Sequence, residues 1–567
     1  MKDDITIRIT GMAGQGIVSA GQMLLRASAS AGYHVFSIRD YESRIRGGEN
    51  YFQVRVSTSP CRASMSKADI IFSLNKETAS KDAEYLSRDG VLIADSEAEK
   101  DSNERRYLFA PIEQKAKEAG KKLYSGTVGI GIVCALAGIP LEKLKSTISN
   151  ILKDKDDKIR SENIKAAEYG YNIPAKNNFK LEPPDSHYEE RVLMDGSAAV
   201  GGAALEAGCS FYCAYPMTPA TGIMKNIVKY SAKYRVLVEQ AEDEIAAVNM
   251  VLGAAYSGRT AMTGTSGGGF ALMTEGLSLA GMTETPLVLA LVQRPGPATG
   301  FPTRTEQGDL NFALHAGHGE FAKAVFAPSD PAEAWNHTLK AFETAYRYQV
   351  PVIILSDQYL ADSEIDLDSK IFNKPSFKYS PYIPEDEINY KRYQLTDESP
   401  VSPAAAPGTK GVLVYADSDE HTEEGHITED AAVREKMIDK RLYRKTEILK
   451  EAMLEPQLEG DNQADYIVTG FGSTAGIILS ALSKLTDYKT AFLRVPQLWP
   501  FPSEKFSEIC GRRPLITVEN NAGAQFAGLI RRETGIKAAS SILKYNGRPF
   551  YEDELISRLK EFLDAEQ

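Results

Sequence analysis

Thiols are scarce in this chain. Its 567 residues include five cysteines, Cys61, Cys134, Cys209, Cys213 and Cys510, with no CxxC pair among them. That spacing excludes a four-thiolate iron–sulfur cluster or a structural zinc site built by this chain alone. It excludes a disulfide framework too, and fits buried free thiols in a reducing cytoplasm, the expected location. An excess of basic residues is also missing: 65 Lys and Arg stand against 77 Asp and Glu, a net charge of −12. With no basic stripe, nucleic acid is excluded as a partner. No apolar run reaches the roughly 20 residues needed to cross a bilayer, so no membrane contact is expected. The start, MKDDITIRIT, lacks the apolar core of a signal peptide.

What is present is an ordinary globular composition, 43% apolar, long enough for about three or four domains. Ile5–Ile9 reads as a strand, Gly11-Met-Ala-Gly14-Gln15-Gly16 as a turn, and the next stretch as a helix to about Ser30. A strand at Val35–Ile38 follows, ending near Asp40. The glycine order is GxxGxG, whereas a dinucleotide fingerprint needs GxGxxG, so Asp40 as a ribose-binding acid is the minority reading. The glycines still allow a phosphate to approach the helix start, and a tight turn without ligand remains the bland alternative. Arg44 and Arg46, beside Gly47 and Gly48, could clamp a phosphate or carboxylate, or pair with a partner chain's acids. Residues 150–190 turn charged and polar, which places a domain boundary near 190.

The centre of the chain is a β-α-β-α-β unit. Val236–Val238 reads as a buried strand, Glu244–Tyr256 as a helix and Thr260–Thr265 as a strand. Ser266–Gly269 then reads as a loop, Phe270–Ala280 as a helix and Leu287–Val292 as a strand. Two prolines fix the backbone around Thr218. Ligands of open parallel sheets bind at the carboxyl ends of strands, so Thr218, Glu244, Ser266–Gly269 and Arg294 are expected on one rim. Glu244 stands in the first turn of an apolar helix, a setting that raises a carboxyl pKa; the alternative is stabilisation of the helix dipole. Arg294 could hold a carboxylate in a bidentate pair, or serve a structural ion pair. His315 and His318 lie beside the rim as candidates for an anion or proton role.

In the last third, Pro375–Pro407 reads as a wrapping arm. Glu429–Met453 reads as one long helix with a solvated polar face. A final α/β domain begins near Tyr466, with Glu519–Asn521 as a polar strand end. His421 and His426, with Glu423 and Glu424, suggest metal spacing only weakly, and loop ordering is preferred.

TyrProMetThrProAlaThr at 215–221, the Gln240–Glu244 helix start, GlyThrSerGlyGlyGly at 264–269 and GlnArgProGlyProAlaThrGly at 293–300 together resemble the alpha subunit of a 2-oxoacid:ferredoxin oxidoreductase. GlyMetAlaGlyGlnGly and ArgIleArgGlyGly resemble the gamma domain of that family, fused in front. HisGlyGluPhe at 318–321 and AspGluHisThrGluGluGlyHis at 419–426 favour the 2-oxoglutarate branch. The chain departs from the family at Met217, Ala220 and Gly268, the last of which replaces a proline and leaves the loop less rigid. The resemblance implies thiamine diphosphate shared with a beta subunit, with Tyr215, Pro216, Glu244, Ser266 and Gly267 on its pyrimidine half. It implies Glu244 as the catalytic acid, and Thr218, Arg294 and Thr303 at the substrate carboxylate. His315 and His318 are further substrate candidates. Coenzyme A is the co-substrate, with Gly14, Gln15, Gly16, Arg44 and Arg46 as its candidate contacts. No GlyAspGly occurs, so the diphosphate site and Mg²⁺ are expected in the beta subunit, together with the [4Fe-4S] cluster. No metal is expected in this chain. Ferredoxin is the expected acceptor and a dimer of alpha–beta heterodimers the expected assembly.

The fold expected is α/β with three parallel-sheet domains: a gamma-type domain at 1–190, a pyrimidine-binding domain at 191–374 and a transketolase C-terminal-like domain at 456–567. An arm and helix at 375–455 join the last two. Alternatives are the same chemistry on a branched-chain oxoacid or pyruvate, a non-catalytic scaffold subunit, and a nicotinamide dehydrogenase, which the glycine order disfavours.

Overall fold

The structure is a computed structural model and describes residues 1–41, 50–75, 77, 79–96, 106–173, 179–184, 191–383 and 390–565. Arg44 and Arg46 lie outside the described residues. The strands are β1 (Asp4–Gly11), β2 (His34–Asp40), β3 (Asn50–Ser57), β4 (Ala68–Ser73), β5 (Leu86–Asp95), β6 (Tyr107–Ala110), β7 (Arg191–Asp195), β8 (Phe211–Ala214), β9 (Leu237–Gln240) and β10 (Ala261–Thr265). They continue as β11 (Leu287–Gln293), β12 (Ala324–Phe326), β13 (Pro351–Asp357), β14 (Glu364–Asp368), β15 (Gln457–Gly460), β16 (Tyr466–Gly470), β17 (Thr490–Arg494), β18 (Gln497–Trp499), β19 (Leu515–Glu519) and β20 (Ser540–Leu543).

They form three sheets, as expected for α/β architecture. The first runs β6-β5-β4-β1-β3-β2-β14-β7, the second β18-β12-β13-β11-β10-β8-β9 and the third β15-β17-β16-β19-β20. The second and third are parallel except at one edge pair each, β12 with β18 and β15 with β17. The first is mixed, because β2 and β3 pair antiparallel and β14 and β7 add antiparallel strands beyond them. The strands that bracket the middle domain in sequence therefore complete the N-terminal sheet, and β18 of the C-terminal part completes the middle one.

The interior strands of the middle sheet are apolar throughout. All seven residues of β11 are buried, as a parallel strand covered on both faces requires. β9 differs from its reading as a buried strand: among the described residues it is the sheet edge, pairs only with β8, and leaves Leu237 63% exposed. Helix Glu244–Tyr256 starts where expected, its Asp243 N-cap accepting the Ala246 N–H at 2.7 Å. The next helix runs Gly267–Met282. It thus begins inside the stretch read as a loop, because Ser266 in extended conformation acts as N-cap and the glycines enter the first turn.

The long helix read at Glu429–Met453 is corrected. Helices Ala431–Ile438 and Lys445–Glu451 are joined by a π-helical turn at Asp439–Arg444. The extra residue in that turn changes which side chains face inward. Lys440, Arg441 and Lys445 are buried, not solvated. Lys440 and Lys445 each lie 2.6 Å from the carboxylate of buried Glu284. Arg392 of the proline-rich arm donates to the Glu284 carbonyl at 2.9 Å, which pins the arm to the middle domain.

Candidate active site

The chain leaves β8 toward β9 on one side, then passes back across β8 to β10 and on to β11 and β13. That reversal opens a crevice between the carboxyl ends of β8 and β10. Tyr215–Thr218 follow β8, Glu244 follows β9, Ser266 follows β10 and Arg294 follows β11, so the expected rim is present.

Glu244 is 4% exposed. Its Oε1 is buried and has no hydrogen-bond partner among the described residues. Burial pushes its carboxyl up, Asp243 adds to this, and the local backbone and Arg294 oppose it. Gly269 is glycine for a reason of space: a Cβ there would collide with Thr265 Oγ1 and Glu244 Oε1. Ser266 Oγ and Asp309 Oδ2 are also buried without partners among the described residues. Three orphaned acceptors around one helix start are unusual, since buried polar atoms are normally satisfied. Arg294 reaches into the same rim, donating from Nη1 to the Thr218 carbonyl at 2.6 Å.

Arg294 and Asp309 are the ends of one loop. Its base is closed by Gln293, whose Oε1 accepts the Asp309 N–H at 2.9 Å. The loop is held from both flanking domains. Arg304 donates to Asp40 at 2.6 Å and to the Tyr41 carbonyl at 2.9 Å. Gln307 and Asn520 exchange hydrogen bonds of 2.7 and 3.0 Å, and Gln307 Nε2 donates to the Phe471 carbonyl at 2.7 Å. Glu519, fully buried, accepts the Phe526 and Ala527 N–H groups at 2.8 and 3.0 Å. The stretch Glu519–Asn521 is thus the seat of this loop rather than only a polar strand end. Sequence reasoning missed Asp309 and Gln307, and read Asn520 only as part of a polar strand end. The one available signal was the concentration of Gln, Asn and Asp at two strand ends.

The N-terminal glycine turn faces the same region. Gly14 and Gly16 adopt φ of 90° and 84°, a conformation that L side chains rarely take. Gln15 Oε1 accepts the Met12 N–H at 2.8 Å and closes the turn. Gly14 and Gly16 line a cleft of about 790 Å³ together with Arg39, Thr218, Thr221 and Lys225. Asp40 is engaged by Arg304 and also by Arg548, so its carboxylate is not presented to a ribose.

The remaining candidates differ in their surroundings. Tyr215 is 40% exposed beside exposed Pro216. Thr303 is half-buried next to Arg304. His315 is not brought to Arg294: its ring pairs with the Asn311 carbonyl at 2.8 Å and with Arg532 at 2.9 Å. His318 lines a separate cleft with Ile245, Glu275, Arg434 and Arg441. His421 is buried with its ring centre 4.0 Å from that of Tyr393, tilted by 42°, while Glu423 and Glu424 both pair with Lys391.

A family model described as pyruvate flavodoxin/ferredoxin oxidoreductase, thiamine diphosphate-binding, matches residues 202–440. A second, pyruvate ferredoxin/flavodoxin oxidoreductase, matches residues 6–173. The chain is 33% identical to a 2-oxoacid:ferredoxin oxidoreductase subunit alpha of Sulfolobus sp, over 96% of this chain and 95% of that one. It is 27% identical to the 2-oxoglutarate oxidoreductase subunit KorA of Mycobacterium tuberculosis, over 98% and 90% of the two chains. Among solved structures, the 2-oxoglutarate:ferredoxin oxidoreductase of Magnetococcus marinus, with 2-oxoglutarate, coenzyme A and succinyl-CoA bound, superposes with a TM-score of 0.91. It shares 31% identity and covers 99% of this chain and 100% of that one.

Proposed function

The chain belongs to the 2-oxoacid:ferredoxin oxidoreductase alpha-subunit family, and from that premise we propose that it is the alpha subunit, with its gamma domain in front, of a complex acting on 2-oxoglutarate. The reaction converts 2-oxoglutarate and coenzyme A to succinyl-CoA and carbon dioxide, releasing a proton and passing an electron pair to ferredoxin. The observation that carries this reading is the buried, unpartnered Glu244 Oε1 in front of a glycine-built helix start.

Those residues fit the pyrimidine half of thiamine diphosphate. A buried carboxyl with a raised pKa holds or shares a proton with a ring nitrogen, and glycines let a flat ring approach the backbone. Tyr215, Pro216, Ser266 and Gly267 form the rest of that face. When bound, the coenzyme supplies the nucleophilic carbon and the electron sink for decarboxylation. Arg294 holds the oxoacid carboxylate, with the Thr218 and Thr303 hydroxyls beside it. The Gly14–Gly16 turn, with Arg39 and Lys225 nearby, takes the anionic part of coenzyme A. His315 and His318 take no part in this reading, because their surroundings lie elsewhere.

A partner subunit brings the diphosphate site, Mg²⁺ and the iron–sulfur cluster, and two alpha–beta pairs assemble. Support comes from the outer face of the middle domain, where Leu237, Ile245, Met250 and Leu272 are 45–63% exposed. A helix that is apolar all round, yet open on one side, calls for a covering surface. Co-expression with the partner, followed by viologen reduction with a panel of 2-oxoacids, tests the proposal. We expect 2-oxoglutarate to be preferred and the chain alone to be inert. Preference for pyruvate or a branched-chain oxoacid would move the substrate, and turnover by the chain alone would refute the shared site.

A further inference from the structure

Met217 follows β8 and is half-buried, like Thr218 after it, while Pro216 before it is exposed. Its backbone is fixed on both sides. The Met217 carbonyl accepts the Thr221 N–H at 3.3 Å, at the start of helix Thr221–Tyr234, and the next carbonyl, that of Thr218, accepts from Arg294. The side chain reaches across the crevice from the end of β8 to the end of β10, where its Sδ lies 3.9 Å from Thr265 Oγ1. That hydroxyl and Glu244 Oε1 are the two oxygens nearest a Cβ placed on Gly269, at 2.2 and 2.4 Å. The thioether thus ends beside the spot where the orphaned carboxyl oxygen faces the helix start. The neighbouring Gly268 is open. Among the described residues, and apart from its own helix backbone, only Met217 Cε and the Ala298 carbonyl come within 4.0 Å of a Cβ placed there. Thr265, Ser266, Glu244 and the Ala298 carbonyl are polar around that opening, so Met217 supplies its apolar side.

We infer that Met217 binds the pyrimidine ring of thiamine diphosphate: its thioether is the apolar wall that holds the ring in place with a nitrogen toward Glu244. The inference rests on the reading of Glu244 given above. A carboxyl alone fixes one point of a planar heteroaromatic ring and leaves it free to rock about that hydrogen bond. An apolar wall against the ring removes that freedom. Methionine suits the task, because its unbranched chain adapts to a gap and its polarizable sulfur packs well against aromatic rings. In this structure the sulfur faces a threonine hydroxyl, to which a thioether is only a weak acceptor, so little is given up when a ring arrives. The anchors at Thr221 and Arg294 keep the residue on the rim while its side chain adjusts.

The test uses the enzyme assembled with its partner subunit, depleted of coenzyme by chelating Mg²⁺ and handled without oxygen. Thiamine diphosphate with Mg²⁺ is then titrated back and followed by protein fluorescence and by the rise in melting temperature. Met217→Ala should weaken coenzyme binding about tenfold, and Met217→Leu, which keeps the bulk, by no more than about threefold. Inorganic diphosphate, which carries no ring, should compete with the same inhibition constant in wild type and both variants. The melting temperature without coenzyme, and the oxoacid KM at saturating coenzyme, should match wild type. Coenzyme binding as tight in Met217→Ala as in wild type would overturn the inference. So would a rise in oxoacid KM with coenzyme affinity unmoved, which would place Met217 at the substrate instead. Diphosphate weakened as much as the coenzyme, or a melting temperature lowered equally with and without coenzyme, would assign Met217 to assembly or packing and overturn it too. If the depleted wild-type enzyme does not rebind thiamine diphosphate, the coenzyme reading fails first, and the two failures are thereby told apart.

Discussion

Glu244 and Glu284 are both buried glutamates of the middle domain, 4% and 1% exposed, yet their surroundings are opposite. Glu284 is held by Lys440 and Lys445, with Arg392 close by, and these cations pull its carboxyl well below the ordinary range despite burial. Glu244 has no cation at ion-pair distance among the described residues, and its carboxyl is pushed up by burial. A buried acid saturated with cations ties elements together. A buried acid without a cation costs the folded chain its desolvation, which is the pattern of a functional site and the ground for the role proposed for Glu244.

The comparison can be broken in a graded way. Glu244→Gln should lower turnover by at least ~10²-fold, the usual scale of a lost proton-transfer group. Its melting temperature and assembly should match wild type, and an active Glu244→Gln enzyme would remove the distinction at its root. Glu284→Gln should do the reverse. It leaves two buried lysines facing a neutral amide, a loss on the order of 3–5 kcal/mol visible in chemical denaturation, with catalytic constants intact where the variant is folded. Arg294→Lys should raise KM for the oxoacid about tenfold, because an ammonium cannot reproduce the planar fork. Its KM for ferredoxin should stay put.

A smaller effect concerns pH and Asp309, whose carboxyl is pushed up to about 6 by burial, with Arg294 opposing. The folded chain holds this proton more tightly than the unfolded chain, whose aspartate titrates near about 3.9. Its contribution to stability is therefore full below about pH 4 and is lost as pH rises through about 6. Asp309→Asn should flatten that dependence in melting curves and raise the melting temperature above pH 6. The smallest effect is expected of His318→Gln, whose ring lies in another cleft: its oxoacid KM should equal that of wild type.

The sequence made Glu244 legible because an acid in the first turn of an apolar helix violates the local pattern. The middle sheet was legible too, since its parallel strands are continuous apolar runs between turn residues. Glu284 was not, because its partners come from Lys440 and Lys445, and only a π-helical turn points both inward. A hint existed: an acid just past the end of helix Gly267–Met282 opposes the helix dipole and calls for a cation. The outward face of the Glu429–Met453 stretch was misjudged for the same reason, because a regular helix period fails across that turn. Asp309 was hidden because its place against Gly267 depends on closure of a loop by the Gln293 side chain. The exposed edge at β9 was missed because apolar content alone does not say which strand is last.

The strands before and after residue 190 share one sheet through a short antiparallel ladder, β2 with β14, which β7 extends on its far side. A gene split near codon 190 would therefore separate the polypeptide without separating the ladder. The leading fragment would be left with the bare hydrogen-bonding margin of β2, a sticky template for any extended segment. Its natural mate is the strand stranded on the other fragment, so two such pieces produced in one cell should find each other by zipping edge to edge. Fusion in one chain then chiefly ensures equal supply and the correct match.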